Sequence, residues 1–230
     1  MSIVALPMES NPETMNKYLH KLGVSDTWRM VDVMGLDPDA LAWVPRPVLA
    51  VVLLFPLSEA YEQHRNQQET DLVKKGEQAP KDVFHLKQVL SNVCGNIALV
   101  HSVANNITNI ELKSDGLLKK YLDDAKDLDA AAKGVLLENS TAILEAYKEI
   151  VRSGSGQGAN EEEPVNNHFV TFIHKDGQLF ELDGRKSFPI NHGPTTPDSL
   201  LEDAANICRQ FIDREPDNIG FNVVALVQSP

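Results

Sequence analysis

The chain has 230 residues, enough for one large domain or two small ones, and 42% hydrophobic with 23% charged side chains is the balance of an ordinary globular protein. Its 33 acidic against 21 basic residues leave a formal net charge of −12, which argues against nucleic acid and anionic membrane surfaces and permits a basic partner. Two cysteines make no disulfide framework and fit a reducing, cytoplasmic compartment; the start Met-Ser-Ile-Val-Ala-Leu-Pro does not read as a secretory signal, and the longest apolar run, Val48 to Phe55, is too short to span a bilayer.

Asn11-Pro12-Glu13 has the form of a helix start, a capping side chain followed by proline at the first helical position. Met15, Tyr18, Leu19 and Leu22 follow at helical spacing, and Gly23 is placed to end the helix. Trp28 to Met34 reads as a short strand, and Asp37-Pro38 opens a brief helix through Trp43. Val48 to Phe55, bracketed by Pro47 and Pro56, reads as a central strand buried on both faces. Ser58 caps a polar helix to about Lys75, and a linker runs from Gly76 to Pro80.

Gln88 to Val103 is chemically the most informative stretch. A polar Ser91-Asn92 loop precedes Cys94, and Ile97, Leu99, Val100, Val103 and Ala104 leave a following helix almost no polar face. A cysteine in the first turn of such a helix meets the positive end of the helix dipole, which favours the nucleophilic thiolate. Gly95 would admit a close backbone approach. Taken alone, this stretch favours reading Cys94 as a small buried hydrophobe, as most free cysteines are. His101, within the same helix, reads as a satisfied core side chain.

Leu117 to Leu122 and Ala130 to Ile150 look helical, and then the character changes. Ser153 to Pro164 has no apolar residue beyond one alanine, and it reads as a flexible loop, about 151–165, long enough to be functional. His168 to His174 and Gln178 to Asp183 flank Lys175-Asp176-Gly177, a strong hairpin signal. A two-residue turn pairs Lys175 with Gln178 and sets Asp183 opposite Val170, diagonal to His168 on one face. Diagonal neighbours lie roughly 7–8 Å apart at Cα, within reach of an imidazole–carboxylate hydrogen bond. Thr196-Pro197-Asp198 opens a last helix whose apolar stripe includes Cys208, and Phe221 to Val227 reads as a closing strand. No Gly-rich phosphate loop and no CxxC or HExxH metal spacing occurs, so no cofactor and no metal are expected.

Gln88 with Cys94 six residues on, His168 before an apolar strand, Glu181-Leu-Asp183-Gly-Arg-Lys and Pro189-Ile-Asn-His-Gly together resemble the ubiquitin carboxy-terminal hydrolase (UCH) family of cysteine proteases. The likeness runs from Leu6-Pro-Met-Glu-Ser-Asn-Pro12 through Val44-Pro-Arg-Pro-Val48 to Phe221-Asn-Val-Val-Ala-Leu226, and it is nearest to the short members made of a single domain, here 1–230. The resemblance implies an α/β (α+β), papain-like fold: a central, mostly antiparallel sheet flanked by helices, with a knotted backbone. It implies Cys94 as nucleophile, His168 as general base and acid, Asp183 as the residue orienting the histidine, and Gln88 as oxyanion-hole donor. It further implies a loop crossing the active site before the histidine, which would admit only small adducts or short extended peptides on the carboxyl terminus of ubiquitin or a related modifier. Pro7, Met8, Glu9, Asp32, Val165 and Phe221 match ubiquitin-contact positions, and a monomer is expected. A ubiquitin-sequestering protein with little turnover, or a papain-like enzyme acting on other substrates, are the competing readings.

Overall fold

The computed structural model describes residues 6–76, 80, 82–154 and 166–229. These residues build a six-stranded, wholly antiparallel sheet in the order β1-β6-β2-β3-β4-β5, made of β1 (Trp28–Asp32), β2 (Val48–Pro56), β3 (Asn167–Lys175), β4 (Gln178–Leu182), β5 (Ile190–Pro194) and β6 (Asn222–Gln228). β2, as its unbroken apolar run predicts, is central and buries both faces. Ala50 and Val52 point into one hydrophobic core, Val51, Leu53 and Phe55 into a second on the other side. β6 is not an edge strand: it sits between β1 and β2, and Val223 to Val227 are all buried.

Eight helices are seen among the described residues. The first core is roofed by α1 (Pro12–Leu22), α4 (Cys94–Ala104), α5 (Leu117–Ala125), α6 (Ala130–Asn139) and α7 (Thr141–Gly154). The second is covered by α8 (Leu200–Asp213), with α2 (Pro38–Leu41) and Tyr61 of α3 (Glu59–Lys74). α1 is bounded as its sequence requires. Asn11 Oδ1 accepts the amides of Glu13 and Thr14, and Gly23, at φ +95°, closes the other end in the left-handed region. α4 buries every one of its residues, as its lack of a polar face foretold.

The structure redraws several boundaries. The helix expected over Ala130 to Ile150 is two, broken at Ser140, whose extended backbone (ψ 90°) ends α6. The expected loop about 151–165 begins later, because Val151 to Gly154 form the last turn of α7; residues 155–165 lie outside the described ones. The helix expected from Thr196 starts at Leu200: Thr196 and Ser199 bond each other's backbone and hydroxyls in a closed turn instead. The first strand stops at Asp32, and the helix after Asp37 ends at Leu41.

The β3–β4 hairpin has the expected register, Lys175 opposite Gln178 through Thr171 opposite Leu182. Asp176 and Gly177 both have positive φ (49° and 75°), the backbone that a two-residue primed turn demands.

Candidate active site

α4 lies across β3 and β2, so its N-terminus meets the start of the strand that carries His168. Cys94 is the first residue of that helix, 8% exposed, and Val93 at the cap supplies no side-chain hydrogen bond. Gly95 permits the contact: a Cβ there would fall 2.8 Å from Met8 Cβ and 3.4 Å from the Phe169 ring. The neighbour brought close is thus a side chain, Met8, and not the backbone that sequence reasoning expected.

His168 and Asp183 are 2% and 0% exposed, and His168 Nε2 lies 2.6 Å from Asp183 Oδ1. The hairpin register delivers this pairing. Asp183 directly follows the Leu182–Thr171 pair, on the side of the sheet that holds His168. With Nε2 committed to the carboxylate, Nδ1 is the nitrogen left for the Cys94 sulfur. Burial alone would lower the basicity of His168, but the charge and hydrogen bond of Asp183, reinforced by those of Cys94, win and hold it up at about 9. Burial would likewise raise Asp183. The opposing charge of His168, with its hydrogen bond, the Lys186 charge and the Tyr61 bond, holds it well below the usual carboxylate range.

Asp183 is fully occupied. Oδ1 also accepts the Arg185 amide at 2.8 Å, and Oδ2 accepts the Tyr61 hydroxyl. Its backbone carbonyl takes the Lys186 amide at 3.0 Å and His85 Nε2 at 3.0 Å. The Phe55 ring meets His168 edge-on, centroids 5.7 Å apart, from the directly opposite position on β2. Tyr61, Arg185, His85 and Phe55 were not foreseen. Tyr61 did leave a trace, since it is the lone buried side chain of the polar helix α3. Arg185 acts through its own backbone N–H and His85 meets a backbone carbonyl, and side-chain patterns report neither.

Gln88 is tied to the same region. Its amide N donates to the Gly184 carbonyl at 2.8 Å, and a Cβ on Gly184 would sit 3.1 Å from Gln88 Cβ, tighter than ordinary contact. Its side-chain Nε2 donates to the Leu90 carbonyl at 2.9 Å, while Oε1 is buried without a partner. His101 is fully buried; its Nε2 accepts the Leu86 amide and its ring stacks on His85 at 5.3 Å. It is a core side chain, as expected, though its Nδ1 has no hydrogen-bond partner.

Of the other positions, Asp32 and Phe221 line one depression with Met34, Leu36, Ile212 and Val223. Ser10 Oγ donates to Asn222 Oδ1 at 2.5 Å, which brings the segment containing Pro7 and Glu9 to the same end of the sheet. Glu9 and Asp32 are exposed, and Pro7 and Phe221 are half-buried. Met8, 4% exposed, is packed into the first core. Val165 lies outside the described residues. Among the described residues no His, Cys, Asp or Glu cluster could hold a metal ion, and no helix is long and apolar enough to cross a membrane.

The family model described as "Ubiquitin carboxyl-terminal hydrolase, family 1" matches residues 5–213. The chain belongs to this family. It is a deubiquitinating thiol hydrolase that acts at the carboxyl terminus of ubiquitin. A Drosophila melanogaster ubiquitin carboxyl-terminal hydrolase is 44% identical over 220 residues, 96% of either chain. The isozyme L1 of Rattus norvegicus is 41% identical over 223 residues, covering 97% of this chain and 98% of its own. Among solved structures, the Trichinella spiralis UCH37 catalytic domain bound to ubiquitin vinyl methyl ester shares the fold, with a TM-score of 0.78 at 22% identity over 98% of this chain and 96% of that one.

Proposed function

We propose that this ubiquitin carboxyl-terminal hydrolase uses Cys94 as nucleophile, His168 as general base and acid, Asp183 to orient His168, and the Gln88 amide to stabilise the oxyanion. The observation that carries this reading is the buried His168–Asp183 pair, with Nε2 held at 2.6 Å and the other ring nitrogen free to serve Cys94 at the head of α4. A cysteine thiolate is intrinsically nucleophilic, and an imidazolium beside it stores the proton that the leaving group will need.

The Cys94 sulfur attacks the carbonyl carbon of the terminal glycine, forming the C–S bond and pushing its electron pair onto oxygen. The Gln88 amide and the Cys94 backbone N–H receive that oxyanion. Collapse breaks the bond to the leaving group, which takes the proton from His168. Water then attacks the thioester, giving a proton back to His168, and the C–S bond breaks to release free carboxylate and regenerate the thiolate–imidazolium pair. Asp183, anchored by Tyr61 and the Arg185 amide, keeps the ring turned and its positive charge favoured.

The depression around Asp32 and Phe221, with Glu9 beside it, is where we place the modifier: the exposed carboxylates suit a basic carboxyl-terminal tail. Pro7 and Val165 belong to the same proposed contact, with Met8 behind it as support for Gly95. The acidic, glycine-rich stretch between α7 and the strand of His168 is proposed to restrict the leaving group to small adducts and short extended peptides. All four chemical groups come from one chain, which supports a monomer acting as one domain, and two free, buried cysteines support a cytoplasmic setting.

Reaction with ubiquitin bearing a C-terminal electrophile, followed by peptide mapping, tests the assignment. Labelling at Cys94 and none at Cys208 is expected. Labelling at Cys208, or equally fast cleavage of short peptide amides lacking ubiquitin, would overturn it.

A further inference from the structure

The Gln88 amide can serve an oxyanion only if it is held still, and its own surroundings do little of that holding. Oε1 has no partner, and the side chain is fixed through a single bond, Nε2 to the Leu90 carbonyl at 2.9 Å. An amide nitrogen has two hydrogens, so one is committed to Leu90 and the second is the one an oxyanion can use. The orientation of that second hydrogen is therefore set by the Leu90 carbonyl, and the question becomes what fixes the loop at residues 89–90.

The answer lies on α6. A single carboxylate oxygen, Glu138 Oε1, accepts the backbone N–H of Val89, at 2.8 Å, and that of Leu90. Two successive peptide planes thus converge on one atom. The helix bearing it is fastened to the preceding residue: the Lys87 amide donates to the Ala130 carbonyl at 2.8 Å, and α6 approaches so closely at Gly134 that a Cβ there would fall 1.9 Å from the Lys87 oxygen. Val89 itself is exposed and cannot anchor the loop by packing. Hydrogen bonds from peptide N–H groups to an ionised acceptor are stronger than neutral ones.

We infer that Glu138 is a positioning residue for the hydrolysis, clamping the Val89–Leu90 peptides so that the Leu90 carbonyl aims the Gln88 amide at the oxyanion. This rests on the assignment of Gln88 proposed above. Glu138 touches neither substrate nor Cys94 in this scheme. It acts wholly through Gln88, so its loss is felt as the oxyanion develops and not when ubiquitin binds.

The test is steady-state hydrolysis of a fluorogenic C-terminal amide of ubiquitin by the full chain, alongside alkylation of Cys94 by iodoacetamide, which needs no oxyanion hole. Glu138→Ala is expected to lower kcat about 10-fold or more, with KM and the alkylation rate within about twofold. Glu138→Gln, whose amide oxygen can accept both N–H groups without the charge, is expected to recover kcat to within about threefold. Glu138→Asp, too short to reach, should resemble the alanine variant and stands in for it if that variant does not fold. In a Gln88→Ala background, Glu138→Ala should cost less than about twofold more, because the group it aims is gone. Multiplicative losses in the double variant, an unchanged kcat in Glu138→Ala, or a parallel fall in alkylation would each overturn the positioning role. A wild-type chain that does not hydrolyse the amide, or Gln88→Ala with undiminished kcat, would instead sink the functional reading beneath it.

Discussion

His168 and Asp183 form a buried pair: Nε2 and Oδ1 are 2.6 Å apart and both side chains are almost wholly shielded from solvent. A charged imidazole so placed ties folding to pH. His168 is raised from an ordinary 6.5 to about 9, so its contribution is fully present below pH 6.5 and is lost as the pH rises through 9. Roughly 3 kcal/mol of stability should disappear across that window, at 1.36 kcal/mol for each pH unit of displacement. Urea unfolding between pH 6 and 10 measures it. In Asp183→Asn the slope should largely vanish.

The acid side follows the opposite sign. Asp183 is depressed below its ordinary 3.8, so its contribution is present above that value and is lost as the pH falls through its lowered folded-state value. Tyr61→Phe removes the donor to Oδ2, leaving a buried carboxylate oxygen short of a partner. We expect a cost of about 1–3 kcal/mol in urea unfolding at neutral pH. Acid unfolding should also begin at a higher pH than in the wild type.

Gln88→Ala should leave the affinity for ubiquitin nearly intact while lowering kcat by about 10²–10³. Cys94→Ala should bind as well and turn over nothing. Calorimetric titration with ubiquitin, run beside the fluorogenic assay, separates the two quantities. A Gln88→Ala variant that lost affinity instead of rate would show that the side chain serves the binding surface.

Behind the site, Glu181 and Lys186 form an ion pair with both side chains 1% exposed, and His192 Nε2 lies 2.8 Å from the second carboxylate oxygen. Lys186 Nζ also donates to Gln68 Oε1 at 2.7 Å. Removing one member of a buried pair strands the other, so Lys186→Met should destabilise by about 3 kcal/mol or more. The double variant Lys186→Met with Glu181→Gln should recover part of that loss, because the stranded charge is gone. Thermal or urea unfolding of the two variants makes the comparison.

What could be read in advance divides by the range of the interaction. The Asn11 cap, the Gly23 stop, the Asp176-Gly177 turn and the buried run of β2 are written in neighbouring residues, and the local physics that made them legible also forms them. The hairpin extended this to His168 and Asp183, since a turn type sets a register. Cys94 could be marked as a candidate but not joined to His168 by spacing alone; the family resemblance made that link. The break at Ser140 was missed because it lies in that residue's extended backbone, whose N–H turns to the Leu137 carbonyl, and the late start of α8 because the Thr196 and Ser199 hydroxyls compete for the backbone there. Glu138 was invisible for another reason. Its partners are the peptide groups of residues 89 and 90, and backbone donors carry no sequence signature.

β6 occupies the slot between β1 and β2, although it follows the other five described strands in the sequence. A polypeptide leaving the ribosome therefore presents two strands with an empty place between them until residues 222–228 emerge. The thiol at position 94 is synthesised long before that gap is filled, so the sheet that carries His168 waits for residues 222–228 before its two halves join.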